Sequence, residues 1–140
     1  MIAYFDTSAI IPLLIAEVGT RTAGEIWDRA DRLVSVRLAH VEARAALAQA
    51  ARLRRISPPH LRSSVRTLED LFAQVDVIEA DEDLIHDAGD LAEAQGLRAY
   101  DAVHLAAVRR VADVDLVVVA GDRALLTAAE ALGIAIAVIG

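Results

Sequence analysis

The chain has no cysteine and no lysine among its 140 residues. Without thiols it can form no disulfide, thiolate metal site or sulfur nucleophile. Without lysine it cannot be a phosphorylation receiver domain, whose strand and helix alternation is similar but whose chemistry needs an ammonium beside the acyl phosphate. Aromatic residues are scarce too, at 4% against 56% hydrophobic residues overall, so the core must be built from Ala, Val, Leu and Ile. No apolar run approaches the ~20 residues of a membrane span. Met1 leads almost directly into an apolar run with no basic leader or cleavage site, which predicts a cytoplasmic protein with no membrane association. The formal charge of −7 argues against a broad, passive nucleic-acid-binding surface, although it does not exclude a nuclease. All 14 basic residues are arginine. They cluster at Arg52, Arg54 and Arg55, at Arg62 and Arg66, and at Arg109 and Arg110, a pattern commoner on solvated helix faces than on phosphate contacts.

The length fits one domain, residues 1–140, large enough to bury about two-thirds of its unfolded surface. Strands and helices alternate without linker or repeat. IAYF (2–5) reads as a buried strand and residues 8–16 as a helix with Pro12 in its first turns. A second helix is predicted over 21–32, a strand over 33–36, and a long Ala-rich helix over 38–54 with its apolar stripe at Leu38, Val41, Ala45 and Ala48. After the break at residues 57–59, a helix over 60–72 leads to strand 75–79. A helix over 81–95 follows, with apolar positions Leu84, Ile85, Ala88, Leu91 and Ala92. Residues 101–112 are apolar nearly all round, as in a buried helix, and DLVVVA (115–120) is the clearest buried strand. A last helix with stripe Leu125, Leu126, Ala129 and Leu132 is capped by Gly133 before strand IAIAVI. This alternation predicts an α/β fold: a central parallel sheet of about five strands, flanked by helices on both faces and joined by right-handed crossovers.

Ligands of such sheets bind at the carboxyl edge of the strands. Asp6 and Asp122 immediately follow strands, and Glu42 lies about one turn into the helix after strand 33–36. Asp101 joins them if its helix starts at the same edge, as a helix feeding a parallel strand must. That placement requires the preceding helix, 81–95, to lie crosswise, because it should otherwise end at the opposite edge. Each acid alone has an ordinary explanation: Asp6 and Asp122 as helix N-caps, Asp101 as a first-turn acid, Glu42 as a solvent-facing residue. Four together would repel one another unless a divalent cation sat between them. Thr7 and Ser8 can cap the first helix, which would free Asp6, and Ser8 can orient a metal-bound water. Of the four histidines, His40, His60, His86 and His104, none shows paired metal-ligand spacing. His104 lies three residues after Asp101 and is expected to serve structure or packing. An oxygen-rich donor set favours Mg²⁺, with Mn²⁺ as substitute, over zinc. A haloacid-type phosphatase would need a second aspartate where Ser8 stands.

FDTSAII around Asp6, Glu42 in its Ala-rich helix, AYDAVHLAA around Asp101 and AGDRALLTAAEALG around Asp122 resemble, in order and spacing, the four acidic segments of PIN-domain ribonucleases. The compact length resembles the toxin of a VapBC toxin–antitoxin pair. The resemblance covers almost the whole chain, with AYDAVHLAA its most specific part. One departure is Ala120, where the family often has Thr or Ser. The resemblance implies a PIN-like domain, metal-dependent endoribonuclease activity and a catalytic, metal-holding set of Asp6, Glu42, Asp101 and Asp122, with Ser8 behind it. Hydrolysis by metal-activated water would leave 5′-phosphate and 3′-hydroxyl ends. It also implies a homodimer and a small VapB-like antitoxin whose C-terminal segment fills a groove leading to the acids. The competing reading is a catalytically inactive RNA- or protein-binding domain of the same fold.

Overall fold

The computed structural model describes residues 1–140. Its elements are β1 (Ile2–Phe5), α1 (Thr7–Ile10) continuing into a 3-10 turn (Ile11–Leu13), α2 (Thr20–Arg29), β2 (Arg32–Val36), α3 (Leu38–Arg52) and α4 (Pro58–Phe72), then β3 (Asp76–Ile78), α5 (Glu82–Gln95), α6 (Ala99–Arg110), β4 (Leu116–Ala120), α7 (Arg123–Ala131) and β5 (Ala135–Val138). The helix expected over 8–16 is therefore much shorter. Pro12 has no N–H to continue the ladder, and the chain tightens into the 3-10 turn around it.

All five strands are parallel, in the order β3-β2-β1-β4-β5. Right-handed crossovers then put α1 to α4 on one face and α5 to α7 on the other. The packing agrees: α3 lies against α1 and α4, and α6 against α5 and α7. The chain leaves β1 towards β2 but arrives at β4 on β1's other side. The carboxyl ends of β1 and β4 thus flank the point where strand order reverses, the natural crevice of a doubly wound sheet.

Tyr4, Val34, Val36, Val118 and Val119 are wholly buried in the sheet. From α3 the buried residues are Ala39, Ala43, Leu47 and Ala50, not the predicted stripe, and Val41 is left exposed. Both stripes are apolar, but the one made mostly of alanine lets the helix backbone approach the sheet closely. The second stripe faces outward into a groove against α4. Helix α6 is buried from Asp101 to Val108, as its uniformly apolar sequence requires.

An ion pair marks how α5 lies on α6. Asp81, the N-cap of α5, holds both guanidinium nitrogens of Arg110, the last residue of α6, at 2.8 and 3.0 Å. The two helices therefore run antiparallel. Helix α5 begins beside the far end of α6 and runs back towards the acid-bearing edge, where Gly96, at φ 64°, ends it and turns the chain into α6.

Candidate active site

The four acids come from four different elements and line one cavity of about 400 Å³, with Thr7, Ser8, Arg98 and Tyr100 completing its wall. Asp6 stands one residue past β1, Glu42 in the second turn of α3, Asp101 in the first turn of α6 and Asp122 at the N-cap of α7. Asp6 and Asp101 are buried, while Glu42 and Asp122 stay partly open to solvent.

Each carboxylate is held on one side. Asp6, rather than Thr7 or Ser8, caps α1: its Oδ2 accepts the Ser8 backbone N–H at 3.2 Å and the Ser8 hydroxyl at 2.5 Å. The Ser8 hydroxyl oxygen in turn accepts the Gly121 N–H at 2.9 Å, which ties the end of β1 to the end of β4. Asp122 Oδ1 accepts the N–H groups of Ala124 and Leu125 at 2.9 and 3.2 Å. Those amides fix Asp122 without a hydroxyl at position 120, where Ala120 is fully buried. Glu42 Oε1 accepts the Thr7 hydroxyl at 2.9 Å and lies 2.7 Å from His104 Nε2.

Asp101 is the exception. Its Oδ2 is buried and has no hydrogen-bond partner. The nearest cation, Arg98, has Nε at 3.5 Å from that oxygen, outside hydrogen-bond geometry, and its other end is 3.6 Å from Asp122 Oδ2. Burial, then the neighbouring charge of Asp122, pushes the Asp101 carboxyl above its ordinary range, against the pull of Arg98.

His104 is almost completely buried. Its Nδ1 meets the Tyr4 hydroxyl at 2.8 Å, and its Nε2 lies 3.2 Å from Asp6 Oδ1 and 3.3 Å from Thr7 Oγ1 as well as near Glu42. Burial pulls the imidazolium down, but the charges of Asp6, Glu42 and Asp101 together hold it above its ordinary value. Tyr4 remains a neutral phenol, its ionisation opposed first by burial and then by Asp6 and Glu42.

His104, Tyr4, Thr7 and Arg98 are thus site residues that sequence reasoning did not place there. The only signal was local: His104 follows Asp101 by three positions, and Tyr4 is the one hydroxyl in an otherwise apolar strand. His40 belongs elsewhere, against Glu69 at 2.6 Å and edge-on to Phe72.

As they stand, no three Asp, Glu or His side chains are spaced to hold a metal ion between them. Arg98 stands beside one pair of acids and His104 beside the other. The donor set nonetheless fits a hard divalent cation: four carboxylates with no thiolate, and in Asp101 a buried acidic oxygen without a partner.

Known proteins share this arrangement of chain. Over 136 residues the sequence is 43% identical to ribonuclease VapC45 and to ribonuclease VapC49, both of Mycobacterium tuberculosis, spanning 97% of this chain and 94% of each relative. The solved structure of VapBC-5, a member of the VapBC family of toxin–antitoxin systems from the same species, matches the fold with a TM-score of 0.60 at 20% identity, over 99% of this chain and 98% of that one. The PIN domain model matches residues 3–135, from β1 into β5 and so across all four acidic segments, and the chain belongs to the PIN domain family.

Proposed function

We propose that the chain is a divalent-metal-dependent endoribonuclease and the toxin of a VapBC-type toxin–antitoxin pair, with residues 1–140 forming one nuclease domain that acts in the cytoplasm. The observation that carries this reading is the partnerless Oδ2 of Asp101 in a cavity shared with three other carboxylates. A fold gathers such mutually repelling groups at a cost unless a cation is to neutralise them. The ribonuclease relatives supply the substrate class.

Asp6 and Asp101, with Glu42 and Asp122, would hold Mg²⁺ or Mn²⁺. When bound, the ion supplies an acidified water and neutralises charge on the in-line transition state. The chain's own residues do the rest. Ser8 and the α7 amides spend one oxygen each of Asp6 and Asp122 on orientation, which leaves Asp6 Oδ1 beside His104 and Asp122 Oδ2 beside Arg98. The Ser8 proton goes to Asp6, so Ser8 orients that carboxylate rather than a water. Arg98, its side chain 80% exposed, can leave Asp101 and Asp122 for a phosphate once their charge is neutralised. Exposed Tyr100 offers a face on which an unpaired base can stack. Hydrolysis by water leaves 5′-phosphate and 3′-hydroxyl ends.

The antitoxin fits the groove between α3 and α4, a cavity of about 530 Å³ lined by the apolar Val41, Ala45, Leu61 and Val65 and by Arg44, Arg62 and Arg66. Val41 directly precedes Glu42, so a peptide lying there leads to the acids. The active assembly in this reading is a homodimer, and sedimentation showing only monomer would defeat that part.

The test is cleavage of total cellular RNA with Mg²⁺ or Mn²⁺, with chelator and Asp101→Asn as controls and with fragment ends mapped. Fragments bearing 5′-phosphates and absent from both controls are expected. Cyclic-phosphate ends would contradict the mechanism, and absence of cleavage together with absence of Mn²⁺ stabilisation would leave a binding domain on the same fold.

A further inference from the structure

His104 has a feature that packing alone does not require: both ring nitrogens are engaged, and on one side the partners are two site acids carried by different elements. Asp6 follows β1 as the N-cap of α1 and Glu42 rides on α3, and no backbone hydrogen bond joins the two segments. Glu42 Oε1, Asp6 Oδ1 and Thr7 Oγ1 all lie within 3.3 Å of Nε2. An ionised carboxylate can only accept, and the Thr7 proton is committed to Glu42 at 2.9 Å, so the nitrogen facing them must carry a proton. That holds whether the ring is neutral or charged. At the other nitrogen the Tyr4 hydroxyl, fully buried at 2.8 Å, prevents the ring from rotating or flipping without stranding a buried polar group.

We propose that His104 is a positioning residue of this nuclease, its Nε2–H locked by Tyr4 at Nδ1 and tying Glu42 to Asp6, so that two acids on elements joined by no backbone hydrogen bond keep one spacing. It touches neither substrate nor the reacting water. It works through the carboxylates, as the hydrogen-bonded surroundings of metal ligands generally do, and removing such a partner typically weakens metal affinity about 10–100-fold. The proposal rests on the metal-nuclease reading for its consequence, but not for its geometry.

The test uses the full chain labelled with ¹⁵N in histidine and ¹³C in side-chain carboxyls, as wild type, Tyr4→Phe, His104→Leu and His104→Gln. Gln keeps an N–H donor near the position of Nε2, whereas Leu fills space without one. Imidazole nitrogen spectra should show Nε2 protonated in the wild type, and the Glu42 and Asp6 carboxyl signals should move in His104→Leu and return towards wild type in His104→Gln. Mn²⁺ titration followed by melting temperature should show affinity weakened by about tenfold or more in His104→Leu and largely restored in His104→Gln. RNA cleavage should lose kcat with little change in KM. If His104→Leu does not fold, Tyr4→Phe and His104→Gln carry the test: loosening of the ring signals in the first and near-native carboxyl signals in the second are expected. An unprotonated Nε2, or a folded His104→Leu with wild-type carboxyl signals and Mn²⁺ affinity, would overturn the proposal. A wild type that neither binds Mn²⁺ nor cuts RNA would defeat the nuclease reading instead, while the carboxyl and imidazole signals would still decide whether the clamp exists.

Discussion

Replacing Asp101 with asparagine should abolish RNA cleavage and at the same time make the metal-free protein more stable. The wild-type Asp101 side chain is 9% exposed, and its Oδ2 has no hydrogen-bond partner. A buried polar atom left unpaired costs about 1–3 kcal/mol, and more when it is charged; asparagine keeps the polar atom and removes the charge. Arg98 approaches to 3.5 Å but from a side chain 80% exposed, so water screens the attraction and its offset is at most about 1 kcal/mol. The net penalty is on the order of 1 kcal/mol, typical of residues kept for function rather than stability. For a domain of this size that corresponds to a melting temperature about 3 °C higher in the Asn variant. The pH dependence fixes the sign. Because the folded pKa lies above the ordinary 3.8, the charged group destabilises the native state at neutral pH, and the penalty disappears as pH falls below 3.8. Calorimetry in chelator at pH 7 and at pH 4 should therefore show an Asn advantage that shrinks on acidification. Adding Mn²⁺ at pH 7 should reverse the order, since only the wild type retains the full ligand set. A variant that melts below the wild type in chelator at pH 7, or whose advantage grows in acid, would refute this account of Asp101.

Three further outcomes follow from other parts of the chain. Arg54 sits at φ 58° just after α3, where the N–H groups of Arg54 and Arg55 close back on Ala51 and Ala50; Arg54→Gly should raise stability by about 1 kcal/mol in urea titration, because glycine adopts that left-handed conformation without strain. The Arg110 guanidinium beside Asp81, helped by the Leu84 N–H, lowers the Asp81 pKa from 3.8 to about 2. Its contribution is present above 3.8 and lost as pH falls through about 2, so Asp81→Asn should be less stable than wild type at pH 7 and converge with it in acid melts. Leu47 is wholly buried under α3; Leu47→Ala should cost about 2–5 kcal/mol by chemical denaturation while leaving residual folded protein competent to bind Mn²⁺.

The sequence determined the architecture because its strongest signals are local and periodic. Unbroken apolar runs such as LVVVA have no polar face to show water, and a helix such as AVHLAAV, apolar all round but for His104, has to be covered on all sides, so a parallel sheet wrapped on both faces was legible from letters alone. The edge that carries the acids was legible as well, since a residue directly after a strand has little freedom in where it lands. What the letters could not settle was which of two equivalent surfaces an element buries. On α3 the stripes through Val41 and through Ala43 are both apolar, and only contact with the sheet selects the smaller side chains for close approach. Nor could they orient α5, whose direction is set by its packing along α6 and is marked by the Asp81–Arg110 pair between residues 29 positions apart. The connections inside the site were beyond reach for the same reason. That Ser8 joins Asp6 to Gly121, and that His104 reaches Tyr4 on one side and Glu42 on the other, are distances across the fold between residues up to 113 positions apart. Sequence carries the chemical identity of a group and its local backbone, but the partner of a hydrogen bond is fixed only when packing brings separate elements to within about 3 Å of one another.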